Sequence, residues 1–331
     1  MQPKSKDLTF NSELAPWLYA FFEEKHRLGY KYKGIDALLM SFDKFLLDKD
    51  CKNGLSKELV LQWTQRKPHQ KAETARCSIR TMRVFADFLN RNGIPAYRVS
   101  RDEAPRRTHD FTPYIFTYEE IERILAVVDG FHYNKTSPNR HLVYPLLIRI
   151  LCFCGLRVSE ALNLKVKDVD FEKGYFILRE TKNRQDRMIP LDENLRGRFN
   201  AYREQMGFKT TDEYFFPAPD GFIYGIDTIE KTFRDAMFAA GIPYRGRGKG
   251  PRLHDLRHTF AVHSLQKLTQ NGKPSQAALP ILMMYLGHKS VDATSRYIHL
   301  AAESYPALLK QTEAAFGDLI PWEEHNDDET D

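Results

Sequence analysis

The chain has 331 residues, 42% of them apolar and 12% aromatic, with a net charge of +5, which is enough apolar sequence for two cores and too much for a disordered or fibrous protein. No window approaches a membrane span, and Met1-Gln2-Pro3-Lys4-Ser5-Lys6-Asp7 lacks a signal-peptide core, so a cytosolic protein without membrane association is expected. The four cysteines, Cys51, Cys77, Cys152 and Cys154, form no paired Cys-x-x-Cys set and have no His cluster beside them, which argues against a structural zinc site and for reduced thiols. Charge is uneven: residues 1–108 hold 21 Lys and Arg against 13 Asp and Glu, while Glu323 to Asp331 holds six acids and no base. A basic front half suits a polyanion, although solvated helix faces look the same.

In chain order, Leu14, Trp17, Leu18, Phe21 and Phe22 fall on helical spacing within 10–28, and Ile35, Leu38, Leu39, Phe42, Phe45 and Leu46 repeat the pattern. Ser56 caps a short helix through Val60, Leu61 and Trp63, and a longer helix runs from about Ala72 to Asn90, ended by Asn92-Gly93-Ile94-Pro95. The result is a four-helix unit over 1–105. Lys71, Arg76, Arg80 and Arg83 fall near one face of its last helix, a stripe suited to backbone phosphates and equally to solvent. Arg106 and Arg107 lie in a basic linker, 106–115.

A second unit, 116–322, opens with Thr117 as N-cap and Glu120 three residues later, a capping box. The apolar helix from Leu142 to Cys152 ends at Gly155, and the next begins near Val158, which puts Arg157 on the turn between them. Tyr175 to Leu178 and Arg187 to Leu191 read as strands around a polar tip that carries Lys182. Helices follow over about Leu195–Met206 and Thr228–Ala240, with Tyr214-Phe215-Phe216-Pro217 between them read as packing. Gly246, Gly248 and Gly250 alternate with Arg245, Arg247 and Lys249 in a loop that fits a nucleic-acid backbone but lacks the Gly-Lys-Ser or Gly-Lys-Thr ending of a P-loop. His254, Arg257 and His258 then open a helix, where unpaired N–H groups and cationic side chains can converge on one anion. Gly287 stops the helix that begins near Ala277 and leaves His288 at its end; Tyr297 follows between Arg296 and His299. A last helix is expected over about Ala301–Phe316, and 323–331 is an acidic tail.

Gly-Leu-Arg-Val-Ser-Glu at 155–160, the Lys182 hairpin with Arg187-Met188-Ile189-Pro190-Leu191, His-Asp-Leu-Arg-His at 254–258, Leu-Gly-His at 286–288 and Arg-Tyr-Ile-His at 296–299 share one order and spacing with a known family. On these motifs the chain resembles the tyrosine recombinase (phage integrase) family over most of its length, most closely from Phe116 to Leu309. The resemblance implies a mainly α fold with a small β-sheet, built from a helical core-binding domain and a catalytic domain that clamp double-stranded DNA. It also implies site-specific recombination through a 3′-phosphotyrosyl intermediate, serving integration, excision, resolution or transposition of a mobile element, with no metal and no cofactor. Arg157 and Arg257 would grip the scissile phosphate, His254 and His288 would add donors and move protons, Lys182 would protonate the leaving 5′ oxygen and Tyr297 would attack phosphorus. Glu160 would orient Arg157. The terminal helix would pass to a neighbouring protomer in a tetramer on paired sites, near the nucleoid.

The chain departs from compact members in the stretch Gln270 to Ala278, expected to be an extra surface loop. No arm-type domain is expected ahead of residue 10, which favours a simple recombinase. Two other readings share the residues: a type IB topoisomerase-like relaxing enzyme, and a regulator that binds DNA without turnover. A metal nuclease lacks clustered acidic and His ligands.

Overall fold

The computed structural model describes residues 9–30, 35–68, 70, 72–105, 112–179, 186–243, 246, 250–270, 275–287 and 297. The chain divides into two compact units, Met1–Phe111 and Thr112–Asp331.

The first unit is four helices, α1 (Ala15–Arg27), α2 (Ile35–Leu46), α3 (Lys57–Thr64) and α4 (Ala72–Arg91). Their apolar stripes meet in a core in which Phe21, Phe42 and Phe85 are fully buried. Phe21 meets Phe85 edge-on with ring centroids 5.3 Å apart, and Phe42 meets Trp63 at 4.9 Å, the offset geometry that aromatic quadrupoles favour. Two polar devices close the ends. Asp43 is buried and accepts from the backbone N–H groups of Asn11 and Ser12 at 2.9 and 3.0 Å, and the Ser56 hydroxyl accepts from Leu59 N–H at the start of α3. Arg76 and Arg83 do not lie open along α4. Each is half-buried and donates to a backbone carbonyl, of Pro105 and Val99 respectively, at 2.9 Å, so they fasten the segment that follows the helix. Arg80 is exposed. Lys71, Arg106 and Arg107 lie outside the described residues.

The second unit is mainly helical around a three-stranded antiparallel sheet in the order β1 (Val169–Asp170), β2 (Tyr175–Leu178), β3 (Arg187–Pro190). β2 and β3 pair from Tyr175 with Pro190 to Leu178 with Arg187. The expected hairpin is therefore present, with β1 as an added strand too short to register as an alternating pattern. Before the sheet come α5 (Tyr118–Asp129), α6 (Arg140–Phe153) and α7 (Val158–Leu162); after it come α8 (Glu193–Met206), α9 (Ile226–Ala239), α10 (Asp255–Gln270) and α11 (Ser275–Leu286). The capping box at Thr117 forms: Glu120 N–H donates to the Thr117 hydroxyl and Thr117 N–H to the Glu120 carboxylate. Phe176, Phe199, Phe215 and Phe216 are all fully buried, which accounts for the Tyr-Phe-Phe-Pro run as core.

Gln270 to Ala278 is not a loop throughout. Helix α11 starts at Ser275, and Ala278 is fully buried with Leu279 and Leu282, because those side chains pack with Ala261, Val262 and Leu265 of α10. No helix among the described residues is long and apolar enough to cross a membrane. Cys51, Cys152 and Cys154 are buried free thiols and Cys77 is an exposed one.

Candidate active site

Arg157 is the N-cap residue of α7, one position outside the helix, with extended backbone angles. Its own N–H donates to the Glu160 carboxylate at 2.9 Å and its guanidinium donates to the same group at 2.6 Å. The turn before it needs glycine: Gly155 has φ +60°, and a Cβ there would lie 2.3 Å from Phe260 Cδ1. The missing Cβ lets α10 approach the turn closely, and the Gly155 carbonyl faces Arg257.

Glu160 sits at the centre of the cluster, 9% exposed. Besides Arg157 it accepts from Arg187 Nη2 at 2.6 Å and stands 3.7 Å from Arg257 Nη1. Burial pushes its pKa up, but Arg187, the Arg157 amide, Arg157 and Arg257 outweigh that and hold the carboxyl below its ordinary range. One carboxylate thereby keeps three like charges together, which would otherwise repel.

Arg257, from the first turn of α10, is 2% exposed. A cation this deep needs acceptors, and two of its five N–H donors go to the carbonyls of Gly155 at 2.8 Å and Leu286 at 2.6 Å. Burial and then Arg157 lower its pKa to about 10, with Glu160 and Tyr297 acting the other way, so it stays charged at neutral pH. Leu286 O also accepts from Arg187 Nη1 at 3.1 Å. Arg187, quoted in the sequence only as part of a strand, belongs to this cluster. Its place is set by register: it is the first residue of β3, opposite Leu178, the last of β2.

His254 lies one residue ahead of α10, with its outer edge in solvent. Its pKa is lowered to about 4, first by burial of the rest of the ring and then by Arg257, Arg157 and Arg252. Tyr297 is 2% exposed and packs with Ala261, Val262, Leu265 and Leu286. Its hydroxyl is nonetheless polar-bonded, 3.1 Å from His258 Nδ1, and it is near enough to Arg257 to interact through charge. Arg157, His254, Arg257 and Tyr297 are therefore brought together. Lys182 and His288, the loop residues Arg245, Arg247 and Lys249, and the expected terminal helix and acidic tail lie outside the described residues. Among the described residues no group of three or more His, Cys, Asp or Glu is placed to hold a metal ion.

The arrangement offers two arginines and a histidine of the sequence-predicted set beside a phenol, held by one carboxylate, which is a site for a tetrahedral anion and an oxygen nucleophile. A family model described as the phage integrase family matches residues 115–304, more than half of the chain. The chain belongs to the phage integrase family. All four of the assembled residues fall inside the matched span. An integrase/recombinase of Sinorhizobium fredii is 28% identical over 307 residues, covering 90% of this chain and 96% of that protein. A tyrosine recombinase of Pseudothermotoga lettingae is 27% identical, covering 79% and 83%. Among solved structures, a lambda integrase tetramer bound to a Holliday junction shares the fold with a TM-score of 0.61 at 19% identity, covering 88% of this chain and 78% of that one. The mainly α fold with a small sheet is the family's own.

Proposed function

We propose that this tyrosine site-specific recombinase cuts duplex DNA by attack of the Tyr297 hydroxyl on a phosphodiester that Arg157, Arg257 and His254 bind. Attack leaves a 3′-phosphotyrosyl bond and frees a 5′ hydroxyl, and attack by the 5′ hydroxyl of another strand reverses it. The observation that carries the reading is the convergence of Arg157 and Arg257 on Glu160 with His254 and Tyr297 in the same cluster. A guanidinium fork matches phosphate oxygens and keeps its charge at any working pH. Negative charge grows on those oxygens in the transition state, so cations already in place lower the barrier. A phenol of ordinary pKa near 10 is mostly protonated at neutral pH and needs such a site to become a good nucleophile. Because the bond energy is kept in the protein–DNA link, strand exchange needs no ATP, and the charge stabilisation a metal would give is assigned to the arginines.

Lys182 is assigned to protonate the leaving 5′ oxygen and His288 to donate to the phosphate. The helical unit over 1–105 is assigned to DNA binding, with Arg80 the exposed cation of α4. A tetramer on paired sites, with terminal helices exchanged between protomers, is part of the same proposal; the lambda integrase that shares this fold forms a tetramer on a Holliday junction. The setting is the cytoplasm, and the task is movement or resolution of a mobile element. The test is a nicked duplex carrying a site that the protein itself selects from random sequence. Wild type should give a covalent adduct that survives SDS, and Tyr297→Phe should lose it while still binding the site. An adduct that persists in Tyr297→Phe would assign the nucleophile elsewhere.

A further inference from the structure

His258 takes no part in the chemistry described so far, yet it is in hydrogen-bond contact with the nucleophile. It sits one turn beyond His254, on the first turns of α10, and is 8% exposed. Its ring stands edge to face against His254 at 4.9 Å and tilts against Tyr297 at 5.7 Å. Its Nδ1 lies 3.1 Å from the Tyr297 hydroxyl in a buried contact. With Nδ1 as the unprotonated nitrogen, the hydroxyl donates to it along the axis on which a proton would pass. His254 is placed differently: burial first, and then the charges of Arg257, Arg157 and Arg252, disfavour a positive charge there, which suits a neutral donor to phosphate rather than a base.

We propose that His258 is the base for Tyr297: it holds the hydroxyl in line through Nδ1 and takes its proton as the Tyr297 oxygen bonds to phosphorus. The P–O5′ bond breaks in the same step, and the leaving oxygen takes its proton from a different group, assigned above to Lys182. On religation the transfer runs backwards, and His258 returns the proton to the departing phenolate. The assignment rests on Tyr297 as nucleophile.

The test separates a proton acceptor from a packing residue. His258→Asn keeps a polar group beside the hydroxyl but cannot take a proton; a ring-difluorinated tyrosine installed at 297 ionises far more readily near neutral pH and depends much less on a base. Single-turnover adduct formation on the nicked substrate is measured for wild type and His258→Asn, each with ordinary and fluorinated Tyr297. His258→Asn should bind the site normally and slow adduct formation by ~10²- to 10⁴-fold. Fluorination should recover most of that loss in His258→Asn while changing wild type little. Should His258→Asn lose site binding, His258→Gln takes its place in the same comparison. An unslowed histidine variant, or a slow one that fluorination fails to restore, overturns the proposal. An adduct in Tyr297→Phe removes the nucleophile assignment instead, so the two failures are told apart.

Discussion

Glu160 receives Arg157 and Arg187 directly and has Arg257 3.7 Å away, so its charge is the one that makes the cluster tolerable. Removing it strands buried cations, and Glu160→Ala should cost about 3–5 kcal/mol, the usual penalty for breaking a buried pair. Urea midpoints at unchanged m-value check this. The pH sign follows from the lowered folded pKa: the stability Glu160 contributes is fully present above its unfolded value of 4.5 and is lost as pH falls through the folded value. Wild type should therefore lose stability in that acid range, and Glu160→Gln should lose less across it. At His254, whose pKa is also lowered, the folding sign is the same, and the balance that differs is that of DNA binding. With a pKa near 4 the free ring is neutral at pH 7, and a bound phosphate stabilises its protonated form. Site binding at pH 5 to 6 should then take up a proton, read by calorimetry in buffers of different ionisation enthalpy, and uptake should vanish at pH 8 and shrink in His254→Gln. Arg157, His254, Arg257 and Tyr297 were legible because each sits in a run with fixed neighbours. His258 was in plain view in the same run but carried no sign of its task, since a histidine on an apolar helix face usually packs, and its partner lies 39 residues away.

The helices were legible because their apolar spacing and caps agree: Ser56 and Thr117 both accept the N–H groups that the sequence assigns to them. What escaped was set by tertiary packing. β1 is two residues long and exists only through pairing with β2, and α11 begins earlier than its turn residues suggest because Ala278 finds a place against α10. The turn between α6 and α7 shows how tightly elements are fitted. Gly155→Ala imposes a left-handed backbone on a residue with a Cβ and drives that carbon into Phe260, so a loss of about 2–5 kcal/mol is expected. Adding Phe260→Leu should return part of it, and a double-mutant cycle in thermal or urea unfolding measures the coupling; strict additivity would mean that the clash does not govern the turn.

Each of the two units carries its own core, one centred on Phe21, Phe42 and Phe85, the other on Phe116, Phe176 and Phe215. The sequence expectation of a basic linker at 106–115 rests on composition and on two sets of apolar periodicity, and the division between the two compact units falls at Phe111 and Thr112. Affinity for a duplex belongs to the whole surface, and with a net charge of only +5 it depends on where the cations lie. The logarithm of site affinity should fall linearly with the logarithm of salt concentration, with a slope of roughly 0.9 per phosphate neutralised. Arg80→Ala should weaken binding evenly across sequences and reduce that slope by about one, whereas Arg76→Ala, whose guanidinium is engaged with Pro105, should leave the slope nearly unchanged. Equal slopes in Arg80→Ala and wild type would take α4 off the duplex.

The carbonyl oxygen of Leu286 is shared by Arg187 and Arg257 at the last residue of α11, where the polypeptide sets out toward Tyr297. Whatever pulls on either guanidinium also tugs on that oxygen. A displacement of either cation is thus felt by the other through one acceptor, which ties the strand carrying Arg187 to the helix carrying Arg257.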